Sequence, residues 1–230
     1  MNAVRKMKMP DKMQKLWDKL LDLLYPPRCP FCRSLLKDSE KTLCSACMRT
    51  LPWTKGEAQV RHFAHVKRCV SPLYYEGSVR SSLLRYKFRG YSGYAKNYSQ
   101  ILAKCIDENG VSCDIITWAP IGKKRLRSRG YDQSRLLAEQ IAAIRGLRCE
   151  QLLIKVADNP PQSSIRSAEK RRANVSGIYA AVDPDMLRGK EILLIDDIVT
   201  SGATLSECAR TLKAAGAASV CAAAVAGSKR

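Results

Sequence analysis

One segment late in the sequence constrains the fold more than any other: ILLIDDIVTSGATL, residues 192–205. Its apolar run, 192–195, has the composition of a central strand that is buried on both faces. Two carboxylates follow at once, and then a small, hydroxyl-rich turn leads into a helix that is predicted to begin at about Thr204. Ligands of parallel sheets bind at the carboxyl ends of the strands, so this turn is the predicted ligand site.

The same turn has the properties of a phosphate site. Its backbone N–H groups can form an anion nest, and the following helix directs its positive dipole end at the same anion. Two carboxylates beside the phosphate can accept hydrogens from the vicinal hydroxyls of a sugar 5-phosphate. A Walker B strand and an acidic phosphorylation pocket also end in acids, but neither explains the hydroxyl-rich turn, and no GxxxxGK[ST] loop is present. The predicted ligand-binding residues are Asp196, Asp197, Val199, Thr200, Ser201, Gly202, Ala203 and Thr204.

Four cysteines form two close pairs in CPFCRSLLKDSEKTLCSAC. Cys29 and Cys32 are separated by two residues, as are Cys44 and Cys47, with eleven residues between the pairs. Thiolates on two tight turns supply the four soft ligands of a tetrahedral zinc site, although four thiolates also bind iron. Because four thiolates leave no position open for water, we predict a structural zinc ribbon. A redox CxxC would leave the second pair unexplained.

Beyond the cysteine pairs, strands and helices alternate. Strands are predicted at residues 66–75, 115–119, 152–156, 178–182, 192–196 and 219–226, and helices at 78–88, 95–108, 134–145 and 205–215. This alternation predicts an α/β fold, with a mainly parallel sheet and helices on both faces. The predicted organisation is an N-terminal amphipathic helix at 1–24, a four-cysteine zinc ribbon at 25–55 and the α/β domain at 65–230.

The charge balance bears on partners. The chain has 40 Lys and Arg against 21 Asp and Glu, a net charge of +19. Such an excess favours nucleic acid, anionic membrane or phosphorylated ligands. No apolar run approaches the roughly 20 residues of a membrane span and no secretory signal is recognisable, so we predict a soluble, cytoplasmic protein without a transmembrane segment.

The ILLIDDIVTSGATL segment resembles the phosphoribosyl pyrophosphate motif of type I phosphoribosyltransferases. Nearly the whole chain is similar to the ComF competence protein family, through LLYPPRCPFC, CSAC, WAPIGKKRLRSRGYDQS and QSSIRSAEKRRANVSGIY. The resemblance implies a type I phosphoribosyltransferase-like domain behind a zinc ribbon, in a cytoplasmic protein that assists natural transformation by handling incoming single-stranded DNA. It also suggests a helicase-like competence ATPase as a partner.

Resemblance to phosphoribosyltransferases places pyrophosphate at the turn 120–123, and Lys123 is the candidate ligand there. If the domain catalyses transfer, Mg²⁺ and cations would neutralise the pyrophosphate leaving group. The basic residues that follow form either a flap over the site or a solvated loop. They are also nucleic-acid candidates: Lys124, Arg125, Arg127 and Arg129.

A second basic segment, residues 80–96, interleaves cations with aromatic rings and contains no acid. Cations for phosphates and rings for base stacking are the ingredients of single-strand binding. The alternative is that the segment is a helix face packed in the core. The nucleic-acid candidates here are Arg85, Lys87 and Arg89.

Three functions remain open from the sequence. The preferred one is a module that binds a phosphoribosyl ligand and handles nucleic acid. The second is an active phosphoribosyltransferase, acting on an unknown base or on an amidophosphoribosyl-type acceptor. The third is a structural adaptor built around zinc.

Overall fold

The computed structural model describes residues 26–157 and 177–229. The predicted helix at 1–24 lies outside these residues. Within the described part, the cysteine-rich region has a tight turn, a bridge between Arg28 and Leu35, and a short helix, α1 (Ser45–Thr50). A 3₁₀ turn, Gly56–Gln59, leads from it into the main sheet.

The strands form two sheets. They are β1 (Val60–Phe63), β2 (Val66–Val70), β3 (Leu73–Tyr74), β4 (Ile115–Trp118), β5 (Arg148–Cys149), β6 (Leu153–Lys155), β7 (Tyr179–Ala181), β8 (Glu191–Val199) and β9 (Ser219–Gly227). The seven-stranded sheet has the order β1-β2-β9-β8-β4-β5, and β3 also pairs with β9. All its pairings are parallel except that of β1 with β2. The other two strands, β6 and β7, pair antiparallel in a sheet of their own.

The longer helices cover both faces of the main sheet. After α1, the helices of the described part are α2 (Gly77–Phe88), α3 (Tyr94–Glu108), α4 (Lys123–Arg129), α5 (Gln133–Arg145), α6 (Pro184–Leu187) and α7 (Ala203–Ala214). Alternate residues of β8 enter different cores: Leu193 and Ile195 pack with α3 and α5, whereas Ile192 and Leu194 pack with α7. A strand buried on both faces explains the continuous apolar run.

The predicted mainly parallel sheet is confirmed, with corrections to three strands. The segments 152–156 and 178–182 are strands, but they form the separate antiparallel pair rather than joining the main sheet. The segment 66–75 is interrupted at Ser71 and Pro72, because proline has no N–H to donate to a neighbouring strand, and β2 and β3 pair with β9 on either side of this break. The sheet also begins earlier than predicted, at Val60.

Candidate functional site

The four predicted zinc ligands converge. The ligand atoms of Cys29, Cys32, Cys44 and Cys47 all lie within 4.8 Å of one another. The Cys32 and Cys44 Sγ atoms are 3.5 Å apart, close to the edge of about 3.8 Å expected for a tetrahedron of 2.3 Å Zn–S bonds. The Cys47 backbone N–H donates to Cys44 Sγ at 3.4 Å, which suits a thiolate ligand. The donor set and geometry therefore fit structural zinc.

The acid pair lies near the carboxyl end of β8, where the sequence placed it. Asp197 is buried and forms an ion pair with Lys87 of α2, with Nζ 2.9 Å from Oδ1. Asp196 Oδ1 accepts hydrogen bonds from the backbone N–H of Asp197 at 2.8 Å and from Ser134 Oγ at 3.0 Å. Burial, reinforced by the neighbouring charge of Asp197, raises the pKa of Asp196 to about 7. Of the two carboxylates, Asp197 is therefore the one that forms an ion pair among the residues that the structure describes.

The turn after the acids has the features expected of an anion site. Gly202 has φ +73° and caps α7, whose first residue is Ala203. The side-chain oxygen of Ser201 is buried and has no hydrogen-bond partner among the residues that the structure describes. An unpaired buried hydroxyl costs about 1–3 kcal/mol, which a bound ligand would recover. Val199 is buried at the strand end, Thr200 is exposed and Thr204 is half-buried.

The β1–β2 hairpin approaches this turn closely. A Cβ atom at Gly202 would collide with the ring of Phe63, the last residue of β1. Glycine is therefore required both for the left-handed backbone and for the approach of this ring.

The turn at 120–122 is held beside the acids by Asp132. Its Oδ2 accepts the backbone N–H of Ile121 at 3.1 Å, and its Oδ1 caps α5 by accepting from the N–H groups of Ser134 and Arg135. Burial raises the pKa of Asp132, while these hydrogen bonds oppose the shift. Lys123 is the exposed first residue of α4, directly after the turn.

The small β6–β7 sheet contributes a ring near the acids. Tyr179 of β7 is buried, and burial, with charges that include Asp196, raises its pKa. This sheet packs against α7. The sequence analysis identified no element that could enclose an acceptor, and Tyr179 is the residue of this sheet whose pKa responds to Asp196.

The nucleic-acid candidates separate into two groups. Arg85 donates to the backbone carbonyls of Pro30 and Phe31, each at 2.9 Å, and Lys87 pairs with Asp197, so both contact other parts of the protein. Arg125 and Arg129 are half-buried. Arg129 lies 4.7 Å from the centroid of the Phe88 ring. The exposed candidates are Arg89, Lys124 and Arg127.

Three residues at the site were not predicted to act there: Lys87, Asp132 and Ser134. The signal for Asp132 and Ser134 was available, since Asp-Gln-Ser before an apolar periodic run is a helix N-cap pattern. Lys87 carried no such signal, because its pairing with Asp197 joins positions that are far apart in the chain.

Comparisons with known proteins match both the cysteine-rich region and the α/β domain. A family model described as a double zinc ribbon domain matches residues 20–58, and one described as a phosphoribosyl transferase domain matches residues 146–230. Competence protein ComFC of Bacillus subtilis is 27% identical over 198 residues, covering 80% of this chain and 77% of its own. Competence protein F of Haemophilus influenzae is 22% identical over 219 residues, covering 82% and 92%. DNA utilization protein YhgH of Escherichia coli O157:H7 is 31% identical over 110 residues, covering 46% of each chain.

Among solved structures, the glutamine phosphoribosylpyrophosphate amidotransferase from B. subtilis is similar, at 24% identity and a TM-score of 0.41. The match covers 60% of this chain and 30% of the amidotransferase. A structure described as the allosteric regulatory enzyme of purine biosynthesis gives 23% identity, a TM-score of 0.42 and coverage of 60% and 29%.

The predicted fold class is confirmed: a type I phosphoribosyltransferase-like α/β domain follows a cysteine-rich zinc ribbon. Within the described part of the chain, every helix is too short or too polar to cross a membrane.

Proposed function

Because the chain belongs to the ComF family, we propose that it serves natural competence, and that its phosphoribosyltransferase-fold domain binds phosphoribosyl pyrophosphate together with Mg²⁺. The arrangement of side chains at the carboxyl end of β8 is the observation that supports this ligand. Two adjacent carboxylates, Asp196 and Asp197, precede a turn in which Gly202 caps the helix and the Ser201 hydroxyl has no partner in the described part of the chain. Carboxylates accept ribose hydroxyls, and the turn and helix start accept the 5-phosphate.

The remaining groups suit the diphosphate end of the ligand. The turn 120–122 lies at the carboxyl end of β4, which pairs directly with β8. Lys123 follows this turn, and Lys87 lies at Asp197. Mg²⁺ prefers oxygen ligands from carboxylates and phosphates, which this site and its ligand would supply.

Calorimetric titration of the zinc-loaded protein with phosphoribosyl pyrophosphate and Mg²⁺ tests this proposal. We expect binding by the wild type and a loss of at least about tenfold in Asp197→Asn, since one hydrogen bond to a charged group contributes about 1.5–3 kcal/mol. Asp185→Asn is the matched control, because the Asp185 side chain is 92% exposed and lies outside the site. Absence of binding by the folded wild type would refute the proposed ligand.

The proposed biological role is the handling of incoming single-stranded DNA. Two relatives are named competence proteins and a third a DNA utilization protein. The net charge of +19 favours a polyanion. Phe88 is 62% exposed beneath the Arg129 guanidinium, with Arg89, Lys124 and Arg127 exposed nearby in sequence. A helicase-like competence ATPase is the proposed protein partner.

The second candidate is an active phosphoribosyltransferase, favoured by the β6–β7 sheet. This sheet brings Tyr179 into electrostatic range of Asp196, where an acceptor could be enclosed. Release of pyrophosphate in the presence of an acceptor, lost in Asp197→Asn, would distinguish transfer from binding alone.

A further inference from the structure

A basic cavity lies where the zinc ribbon meets the first turn of α3. Its volume is about 300 Å³. The ribbon contributes Arg28, Arg33 and Lys41 to its lining, and the other side contributes Tyr91, Tyr94 and Lys96. In the part of the lining that the structure describes there is no Asp or Glu. The cavity shares no residue with the site at the end of β8.

The four cations of this cavity are available to an anion. Arg28, Arg33, Lys41 and Lys96 are exposed, and within residues 26–157 and 177–229 none of them forms an ion pair. Four like charges around one small space repel one another, and a phosphate would relieve that repulsion.

The cavity also offers an aromatic surface. The rings of Tyr91 and Tyr94 have centroids 5.1 Å apart. Tyr94 is buried and meets Tyr98 edge-on, which fixes it in place, whereas Tyr91 is only half-buried. A fixed aromatic pair with one accessible ring is a stacking platform, since every nucleobase has a flat face that can stack on such a ring.

Arg33 lies in the turn that carries Cys29 and Cys32. Its φ is +70°, a left-handed conformation that glycine adopts freely. An L-residue is strained in this conformation, because its Cβ lies too close to the backbone. The tight turn places the Arg33 N–H on Cys29 O at 2.9 Å, and glycine would serve this turn without strain. The strain therefore belongs to the turn that brings the Cys29 and Cys32 thiols together, and glycine at this position would remove the cation while keeping the turn.

We propose that this cavity binds one nucleotide unit, with its phosphate among Arg28, Arg33, Lys41 and Lys96 and its base against Tyr91. The favoured source is single-stranded DNA, a choice that rests on the proposed role in DNA handling. A strand bound there would contact the ribbon and the α/β domain at once.

The test is fluorescence anisotropy of the zinc-loaded full chain with a labelled single-stranded oligonucleotide of about 12 nucleotides. We expect Arg33→Gly to bind roughly 5- to 10-fold more weakly at low salt, since one phosphate contact is lost. The same variant should unfold at a higher temperature, because the strain at this position is removed. Weaker binding by a more stable protein cannot result from misfolding.

Two further variants complete the design. Lys96→Gln changes an exposed cavity cation and should also weaken binding several-fold. Arg188→Gln removes the same charge at a side chain that is 83% exposed and outside the cavity, and it should bind like the wild type. Zinc content is measured for each variant. Wild-type affinity in both Arg33→Gly and Lys96→Gln would overturn the proposal.

A second titration, with thymidine monophosphate, distinguishes a nucleotide within a DNA strand from a free nucleotide. If the protein binds the oligonucleotide but not the mononucleotide, the ligand of the cavity is a DNA strand. If it binds the mononucleotide as tightly as the oligonucleotide, and Arg33→Gly loses that binding, the ligand is a free nucleotide instead. If the wild type binds neither, both this site and the DNA-handling role fail. Calorimetry with phosphoribosyl pyrophosphate tests the site at the end of β8 independently of this cavity.

Discussion

At the scale of single residues, the chemistry of the acid pair depends on unequal surroundings for two adjacent carboxylates. Asp197 has Lys87 at 2.9 Å. Within residues 26–157 and 177–229, Asp196 has no cation at ion-pair distance, and it accepts hydrogen bonds from Ser134 and from a backbone N–H. Like charges side by side are costly in a buried setting, so the less compensated carboxylate holds its proton more tightly. A bound Mg²⁺ would supply the missing positive charge, and the carboxylates could then accept the ribose hydroxyls.

This asymmetry predicts how stability changes with pH. The pKa of Asp196 in the folded protein, about 7, exceeds the value of about 3.9 in an unfolded chain. The native state therefore binds a proton that the unfolded state releases, and this contribution to stability is lost as pH rises from about 4 to 7. Asp196→Asn should remove that loss, so its stability relative to the wild type should increase between about pH 5 and 7, by up to about 1.4 kcal/mol per unit.

Urea unfolding of both proteins at several pH values measures this difference. Groups elsewhere titrate equally in the two chains and cancel in the comparison. Parallel stability curves for wild type and Asp196→Asn would show that the carboxylate is not perturbed.

At the scale of secondary-structure elements, the close packing of β1 on the β8–α7 turn gives a second prediction. Gly202→Ala introduces a methyl group at φ +73° and against the Phe63 ring. Gly189→Ala is a matched control, with φ +71° and no atom within 4 Å of the added Cβ. Both variants suffer backbone strain of about 1–2 kcal/mol. Gly202→Ala should lose about 1–3 kcal/mol more, because a well-packed region resists added volume.

Thermal unfolding measures the difference in stability between the two variants. Calorimetry with phosphoribosyl pyrophosphate measures how each substitution changes the affinity for this ligand. Only Gly202→Ala should weaken ligand binding, since only at that position does the added methyl group force the β1–β2 hairpin to move. Equal stability and equal ligand affinity in the two variants would contradict the packing argument.

The elements that the sequence predicted best are those with local signals. The β8 run, its acids and the cysteine pairs each carry their pattern within a few residues, and the strand, acids and thiolate cluster are where that pattern placed them. The β6–β7 pairing was missed because its partners are separated by residues 156–178, and periodicity does not reveal which strand pairs with which. Lys87 was assigned to nucleic acid for the same reason: its partner is distant in sequence.

At the scale of the whole molecule, α2 connects the zinc ribbon to the acid pair. Ser82 and Arg85 donate to carbonyls of Pro30 and Phe31 in the ribbon. Lys87, on the same helix, contacts Asp197. The buried ring of Phe31 packs 5.8 Å from that of Tyr98, inside the domain core. The ribbon and the domain therefore share one core and should unfold together.

This shared core predicts the effect of removing zinc. A four-thiolate region depends on its metal for folding, so a chelator should expose Phe31 and free α2, and lower the unfolding temperature of the whole protein in one transition. Circular dichroism at wavelengths that report helices follows the α/β domain directly, because the helices of the described part lie mostly there. Arg85→Ala should cost about 2–3 kcal/mol with zinc bound, from the loss of charged hydrogen bonds.

Arg89→Ala is the matched control for that variant, since Arg89 is exposed just past the end of the same helix. If the ribbon were only an appendage, the chelator would leave the main transition in place and add a separate one, and Arg85→Ala would behave like Arg89→Ala. A single transition that moves with zinc would instead make metal content a determinant of the proposed phosphoribosyl site, because the helix that the ribbon holds is the helix that positions Lys87 at Asp197.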